Sequence, residues 1–119
     1  MARLDFHAGP DGRGWWLDVQ ADVLGGLNTR LVVPMLPMKD APRPAWRLNP
    51  VVTVDGVPCV LVTQYLAAVP VAALGRRIGT LSDQSETVAA ALEMVFVGVC
   101  GVLVFTAGTA ILAVKGDRP

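Results

Sequence analysis

The segment Pro50-Val-Val-Thr-Val-Asp-Gly-Val-Pro-Cys-Val-Leu-Val-Thr63 carries the clearest structural signal in the chain. It places the dipeptide Asp55-Gly56 between two runs rich in β-branched residues. Both central residues of a two-residue type I′ turn need a positive φ angle, which Asp and Gly adopt more readily than most residues. The segment therefore predicts a β-hairpin and an antiparallel sheet around it.

Further strands are predicted on the N-terminal side of this hairpin. Residues 4–7 and 15–22 alternate apolar and polar side chains, and the turn-rich residues 8–14 join them, which predicts a second hairpin. Residues 29–35 are β-branched and apolar, but Pro34 has no N–H to donate and is expected to confine this strand to a sheet edge or to end it early. About five strands joined by tight turns favour a small barrel or a strongly twisted sheet.

A C-terminal helix is predicted over residues 81–99, after a short helical turn at residues 65–68. Ser82 or Asp83 is expected to be the N-cap, because a short side-chain oxygen can accept a free N–H of the first turn. The apolar residues at helical spacing are Val88, Leu92, Val95 and Val99. The chain is therefore expected to be mainly β with one C-terminal helix.

Composition limits the possible functions. The 119 residues suffice for one domain, and the formal net charge of +0 lacks the basic footprint of a nucleic-acid-binding protein. Cys59 and Cys100 have neither metal-ligand spacing nor a disulfide pattern, so we expect two buried thiols in a reducing compartment. No apolar signal-peptide region follows Arg3, so a cytoplasmic location is predicted.

Few residues are candidates for catalysis or metal binding. His7, the only histidine, has no adjacent nucleophile and is interpreted as a surface or half-buried strand residue. Asp18 and Asp22 fall on the same side of a predicted strand with Trp16 and Gln20, where paired carboxylates could bind a metal. Because no third ligand is in view, a solvated strand face is the preferred interpretation.

The arginines give two further candidate sites. Arg30, beside apolar residues, could stabilise phosphate charge as in a ribonuclease, or it could pair with a neighbouring carboxylate. Arg76 and Arg77 could contact a phosphate, although a solvated turn is the preferred interpretation.

Six segments together resemble the CcdB toxins of bacterial toxin–antitoxin modules. They are residues 16–22, 30–34, 48–52, 66–75, 81–82 and 94–99, in the family's order and spacing. The resemblance implies a small SH3-like barrel or twisted antiparallel sheet with a C-terminal helix, the fold shared by CcdB and MazF, in a toxin domain of residues 1–99. Residues 100–119 then form an apolar extension.

The resemblance also implies a function. CcdB-like toxins are homodimers that are not enzymes and carry no cofactor or metal. They bind the A subunit of DNA gyrase and trap the gyrase–DNA cleavage complex, and this topoisomerase poisoning serves plasmid maintenance. A CcdA-like antitoxin with a disordered arm wraps around and neutralises them.

By this resemblance the gyrase contact involves two regions of the chain. The corresponding residues here are Val23, Leu24, Glu93, Val97, Gly98 and Val99. The family typically has Trp in place of Val97 and a polar amide in place of Glu93. An interface Trp often contributes about 2 kcal/mol or more, so these two differences are expected to weaken gyrase poisoning.

The C-terminal extension leaves three structures open. Residues 94–114 are uncharged and, as a helix, about as long as a membrane span, so membrane association is one possibility. A longer helix that packs on the barrel or on the dimer partner is the second. The third is a break after Gly98 or Gly101 followed by added strands.

Two other functions stand beside gyrase poisoning. A MazF/Kid-like mRNA endoribonuclease would use Arg30, His7 and Asp18, although the balanced charge and the closer match to CcdB argue against it. An inactive, membrane-tethered toxin relative that only sequesters antitoxin is the other.

Overall fold

Within residues 2–9 and 12–98, the part of the chain that the computed structural model describes, seven strands form one antiparallel sheet. The strands are β1 (Asp5–Ala8), β2 (Trp15–Asp18), β3 (Thr29–Pro37), β4 (Val51–Val54), β5 (Val57–Leu61), β6 (Ala67–Pro70) and β7 (Arg77–Thr80). Their order is β4-β5-β3-β2-β1-β7, and β6 also pairs with β3. The sheet curls into a half-barrel with one helix after the last strand, which confirms the predicted fold class.

Both predicted hairpins are present. In the first, β1 and β2 pair antiparallel with Phe6 opposite Leu17. In the second, β4 and β5 meet with Val54 opposite Val57. Asp55 has φ 51° and Gly56 has φ 79° at the connection, which is the left-handed conformation that a type I′ turn requires. Local turn chemistry therefore sets this hairpin, as predicted.

The expectation that Pro34 would place β3 at an edge or end it early is wrong. β3 is the central strand, because it pairs with β2 on one side and with both β5 and β6 on the other. The Pro34 carbonyl accepts the Val62 N–H at 2.9 Å, so the backbone polar groups of Pro34 face away from β2. On that side β5 pairs with β3 only as far as Met35, and β6 pairs with it only from Val32. Pro34 therefore lies in the gap between these two partner strands. The missing N–H falls where no strand requires it.

The segment after β5 differs from the prediction. The short helical turn is a 3-10 helix at Thr63–Tyr65, two residues earlier than expected, and the residues after it form β6. β7 is a strand that the sequence pattern did not predict. It is only four residues long, Arg77-Ile-Gly-Thr80, and its pairing with β1 rather than any alternation defines it.

The C-terminal helix α1 spans Ser85–Phe96 and follows a 3-10 turn at Ser82–Gln84. The predicted caps are wrong. Gln84 is the N-cap and makes no side-chain capping bond, because the Ser82–Gln84 turn precedes the first α-helical turn. α1 buries Val88 and Ala91, and Val88 belongs to the hydrophobic core cluster together with side chains of the sheet.

The helix ends at a defined point. The N–H groups of Val97 and Gly98 both donate to the Glu93 carbonyl, at 2.7 and 3.0 Å, and Gly98 has φ 83°. A left-handed glycine of this kind terminates helices. The helix that contains Met94 is therefore interrupted at Val97 and Gly98, where the third alternative places a break, and the predictions for the residues after Gly98 are not tested. The extension itself lies outside the described residues, and no helix within them is long and apolar enough to cross a membrane.

The core cluster combines side chains of the sheet with Val88 of α1. Its fully buried side chains include Leu17, Met35 and Leu61, from β2, β3 and β5. Trp15, Leu66, Ile78 and Leu92 pack against its edge. Cys59 is buried in this cluster, as predicted, and its burial raises the pKa of the thiol. Cys100 lies outside the described residues.

The β4–β5 turn provides a test of the fold. Gly56→Ala is expected to lower the free energy of unfolding by about 1–2 kcal/mol, because an L-residue is strained at φ 79°. No atom lies within 4 Å of the added Cβ, so the loss comes from the backbone alone. Urea denaturation measures it.

Gly26→Ala is the matched control. Its added Cβ also meets nothing within 4 Å, and Gly26 is not in the positive-φ region. Its stability should stay within about 0.5 kcal/mol of the parent chain. Equal losses for the two variants would contradict the type I′ assignment.

Candidate functional site

Two apolar side chains project from the 3-10 turn Asp22–Leu24, which connects β2 to β3. Val23 is 88% exposed and Leu24 is 46% exposed, and none of the turn's residues is buried. Backbone hydrogen bonds define the turn, from Leu24 N to Ala21 O and from Gly25 N to Asp22 O, each 3.0 Å. An ordered turn with an almost fully exposed Val at its apex is a candidate contact surface.

A buried ion pair lies beside this turn. Asp18, the last residue of β2, has no exposed surface, and its Oδ2 accepts hydrogen bonds from Arg30 Nε at 2.8 Å and Nη2 at 2.5 Å. Arg30 is 2% exposed. The prediction of a solvated strand face is therefore wrong at Asp18, whereas the pairing of Arg30 with a neighbouring carboxylate is confirmed.

Strand register explains this pair. Asp18 lies opposite Val32, and Arg30 is two residues before Val32 on β3. Residues related in this diagonal way share one face of an antiparallel sheet and lie within reach of a long side chain. Two opposite charges can therefore be buried together, because each satisfies the other.

Gln20 connects the ion pair to the turn and is itself only 4% exposed. Its backbone N–H donates to Asp18 Oδ1 at 3.0 Å. Its side-chain Oε1 accepts the Leu31 N–H at 3.1 Å, and its Nε2 donates to the Leu24 carbonyl at 3.0 Å. The buried polar set Asp18, Gln20 and Arg30 thus bonds the turn to the sheet, and we call it the turn-supporting network.

Asp22 does not join Asp18 in a shared site. Its side chain is exposed, and Oδ1 accepts the Arg3 N–H at 2.8 Å. Within the described residues no group of three potential metal ligands comes together. The two carboxylates have different partners, one in the buried network and the other at the N-terminal segment.

The end of α1 is a second exposed apolar surface. Phe96 is 68% exposed and Val97 is 69% exposed, and Glu93 and Gly98 are also exposed. Val99 lies outside the described residues. Sequence reasoning did not identify Phe96, although it lies inside the matching segment 94–99 and directly precedes Val97. The hydrogen bonds and ion pairs of the described chain do not link this surface to the Asp22–Leu24 turn.

His7 is buried rather than at the surface or half-buried as predicted. It is 4% exposed, because β1 lies between β2 and β7. Its Nδ1 lies 3.1 Å from the Gly75 carbonyl oxygen. With Arg30 and Asp18 also buried, all three proposed ribonuclease residues are hidden from an RNA backbone, and two of them pair with each other.

Arg77 belongs to β7 and not to the predicted solvated turn. Its Nε lies 3.1 Å from Asp5 Oδ2, and the arginine side chain is 54% exposed. Burial by itself would raise the pKa of Asp5, but hydrogen bonds from Arg77 and Ala2 and the arginine charge outweigh it and lower the pKa below its usual value. This ion pair links β7 to β1 at one edge of the sheet, and we do not assign it a binding role.

These features define a class of protein: a small, mainly β protein with a buried ion pair inside its sheet and exposed apolar side chains on one turn and at the end of its helix. The family model for "CcdB protein" matches residues 5–98. The chain belongs to the CcdB family, a family of toxins from toxin–antitoxin systems that is not a family of enzymes. A search of curated proteins finds no match to the chain.

The buried ion pair yields a stability prediction. Arg30→Met should lower the free energy of unfolding by about 3–5 kcal/mol, because it leaves the Asp18 carboxylate buried without its charge partner. Arg77→Met is the control, since it also removes an arginine from an ion pair but at an exposed position, where the loss should stay below about 1 kcal/mol. Chemical denaturation measures both free energies of unfolding. Similar losses would contradict the claim that the buried pair stabilises the fold more than the exposed pair does.

Proposed function

We propose that the chain is the toxin of a type II toxin–antitoxin pair that binds the A subunit of DNA gyrase and traps the gyrase–DNA cleavage complex. The observation that carries this proposal is the exposure of two apolar side chains in a chain of the CcdB family. They are Val23 in the Asp22–Leu24 turn and Val97 at the end of α1. These are positions to which the family resemblance assigns the gyrase contact.

The Asp22–Leu24 turn suits an interface. Val23 is 88% exposed, so its side chain adds almost no hydrophobic stabilisation to the folded monomer. A partner that covers it removes this apolar surface from water. Leu24, at 46% exposure, adds to the same patch. The turn is held by backbone and side-chain hydrogen bonds before any partner arrives, which lowers the ordering cost of association.

The end of α1 supplies the second half of the proposed contact. Val97 lies where the helix stops, and the exposed Phe96 beside it adds a larger apolar side chain to the proposed contact. Glu93 is exposed one helical turn earlier, and its carbonyl accepts the two hydrogen bonds that end the helix. Glu93, Val97, Gly98 and Val99 are the proposed helix contacts, together with Phe96.

The proposed mechanism is binding without chemistry. A protein that binds one conformation of gyrase more tightly than another increases the population of that conformation, which here is the one with cleaved DNA. His7, Asp18 and Arg30 are committed to the interior, which supports a toxin that is not an enzyme. The proposal includes a homodimer, a CcdA-like antitoxin, a cytoplasmic location, and a toxin unit of residues 1–99 followed by the extension 100–119.

A charge placed on either surface should impair gyrase binding. Val97→Lys and Val23→Lys are each expected to weaken the affinity for the purified gyrase A protein by about 30-fold or more, because a desolvated ammonium replaces an apolar anchor. Biolayer interferometry measures the affinity, and gel-based supercoiling inhibition should fall in parallel.

Val51→Lys is the matched control. Val51 is 49% exposed on β4, an edge strand on which lysine is well tolerated, and it lies outside the proposed contact. Its affinity should stay within about twofold of the parent chain, a difference of well under 1 kcal/mol. Binding that all three variants reduce equally, or none reduces, would contradict the proposed surface.

A further inference from the structure

The Asp22–Leu24 turn is ordered without a hydrophobic anchor of its own. None of its residues is buried, so apolar packing contributes little to fixing its conformation. Exposed turns that lack such packing open easily. The turn nevertheless carries an exposed Val and Leu whose use as a binding surface requires a defined geometry. Something other than apolar packing must hold it.

Gln20 provides this support from the interior. Its amide bridges two backbones, because Oε1 accepts the Leu31 N–H of β3 at 3.1 Å while Nε2 donates to the Leu24 carbonyl of the turn at 3.0 Å. The backbone that carries this side chain is also held, since the Gln20 N–H donates to Oδ1 of buried Asp18 at 3.0 Å. One buried side chain thus joins the turn to the central strand.

Two neighbours complete the support. A Cβ built on Gly25, the residue after the turn, would lie 3.7 Å from Arg30 Nη1, so the guanidinium of the turn-supporting network lies close to Gly25. At the start of the turn, Asp22 Oδ1 accepts the Arg3 N–H at 2.8 Å. Side-chain hydrogen bonds therefore hold the turn at its first residue, Asp22, and at its last residue, Leu24.

We infer that Gln20 is a positioning residue that holds Val23 and Leu24 in their binding geometry without touching the partner. This inference rests on the proposed function. Gln20 is 4% exposed and offers almost no surface to gyrase, so its effect on affinity passes through the turn. If the turn is fixed before association, binding does not have to order it, and the affinity is higher.

The test uses two matched amide-to-acid substitutions. Gln20→Glu preserves an acceptor for the Leu31 N–H but removes the donor to the Leu24 carbonyl. Asn49→Asp is the control, because Asn49 is also 4% exposed and its Nδ2 also donates to a carbonyl, that of Leu61 at 3.0 Å, away from the turn. If Gln20→Glu does not fold, Gln20→Met removes the same donor without adding a charge.

Hydrogen exchange followed by NMR reads out the turn itself. In Gln20→Glu the amides of Leu24, Gly25 and Leu27, which are hydrogen-bonded within and just after the turn, should exchange about five- to tenfold faster relative to the β3 amides other than Leu31, whose N–H bonds to Gln20. In Asn49→Asp the same ratio should not change. Equal ratios in the two variants would overturn the inference regardless of any gyrase measurement.

Affinity for the purified gyrase A protein gives the second readout. Gln20→Glu should bind about five- to tenfold more weakly than Asn49→Asp, the loss expected for one hydrogen bond. Faster turn exchange with unchanged affinity, in an assay where Val23→Lys does weaken binding, would overturn the positioning role. If Val23→Lys and Val97→Lys also bind normally, the proposed function fails instead, which separates the two failures.

Discussion

The ion pair between Asp18 and Arg30 is the constraint on which the Asp22–Leu24 turn, the first half of the proposed contact, depends. Two charges with almost no exposure must satisfy each other, and their hydrogen bonds of 2.8 and 2.5 Å do so across β2 and β3. The pair fixes the end of β2 and leaves Asp18 Oδ1 free to accept the Gln20 N–H. Gln20 then reaches the Leu24 carbonyl. The buried ion pair therefore helps to hold the exposed apolar turn, because Gln20 is hydrogen-bonded both to Asp18 and to Leu24.

The second proposed contact is built by a different device. α1 is anchored by its buried residues Val88 and Ala91, whereas Phe96 and Val97 at its end are exposed. Gly98 at φ 83° ends the helix just after these exposed residues. Hydrogen bonds therefore support the Asp22–Leu24 turn. The end of α1 is supported by the buried residues of the same helix, Val88 and Ala91. Both present apolar side chains from rigid elements, which suits binding without chemistry.

Local sequence predicts those parts of the fold that local chemistry determines. Asp55-Gly56 set the β4–β5 hairpin, and its prediction is confirmed because the turn needs no distant partner. Pro34 could not be placed from sequence, because its tolerance in the central strand depends on the gap between β5 and β6. The same reason explains the wrong interpretation of Asp18, whose burial depends on an arginine twelve residues away on the next strand. The proposed contact residues come from the family resemblance, and only the structure shows the exposure of those it describes, Val23 to Gly98, and adds Phe96.

The most direct measurement of the central claim is cleavage-complex formation by purified gyrase on supercoiled DNA. Increasing amounts of the chain are added, the reaction is stopped with detergent, and linear DNA is quantified after protease treatment. The account predicts that linear DNA accumulates as the chain is added, and that Val23→Lys and Val97→Lys reduce it while Val51→Lys does not. An absence of linear DNA at micromolar protein, with gyrase shown to be active, would contradict gyrase poisoning by this chain.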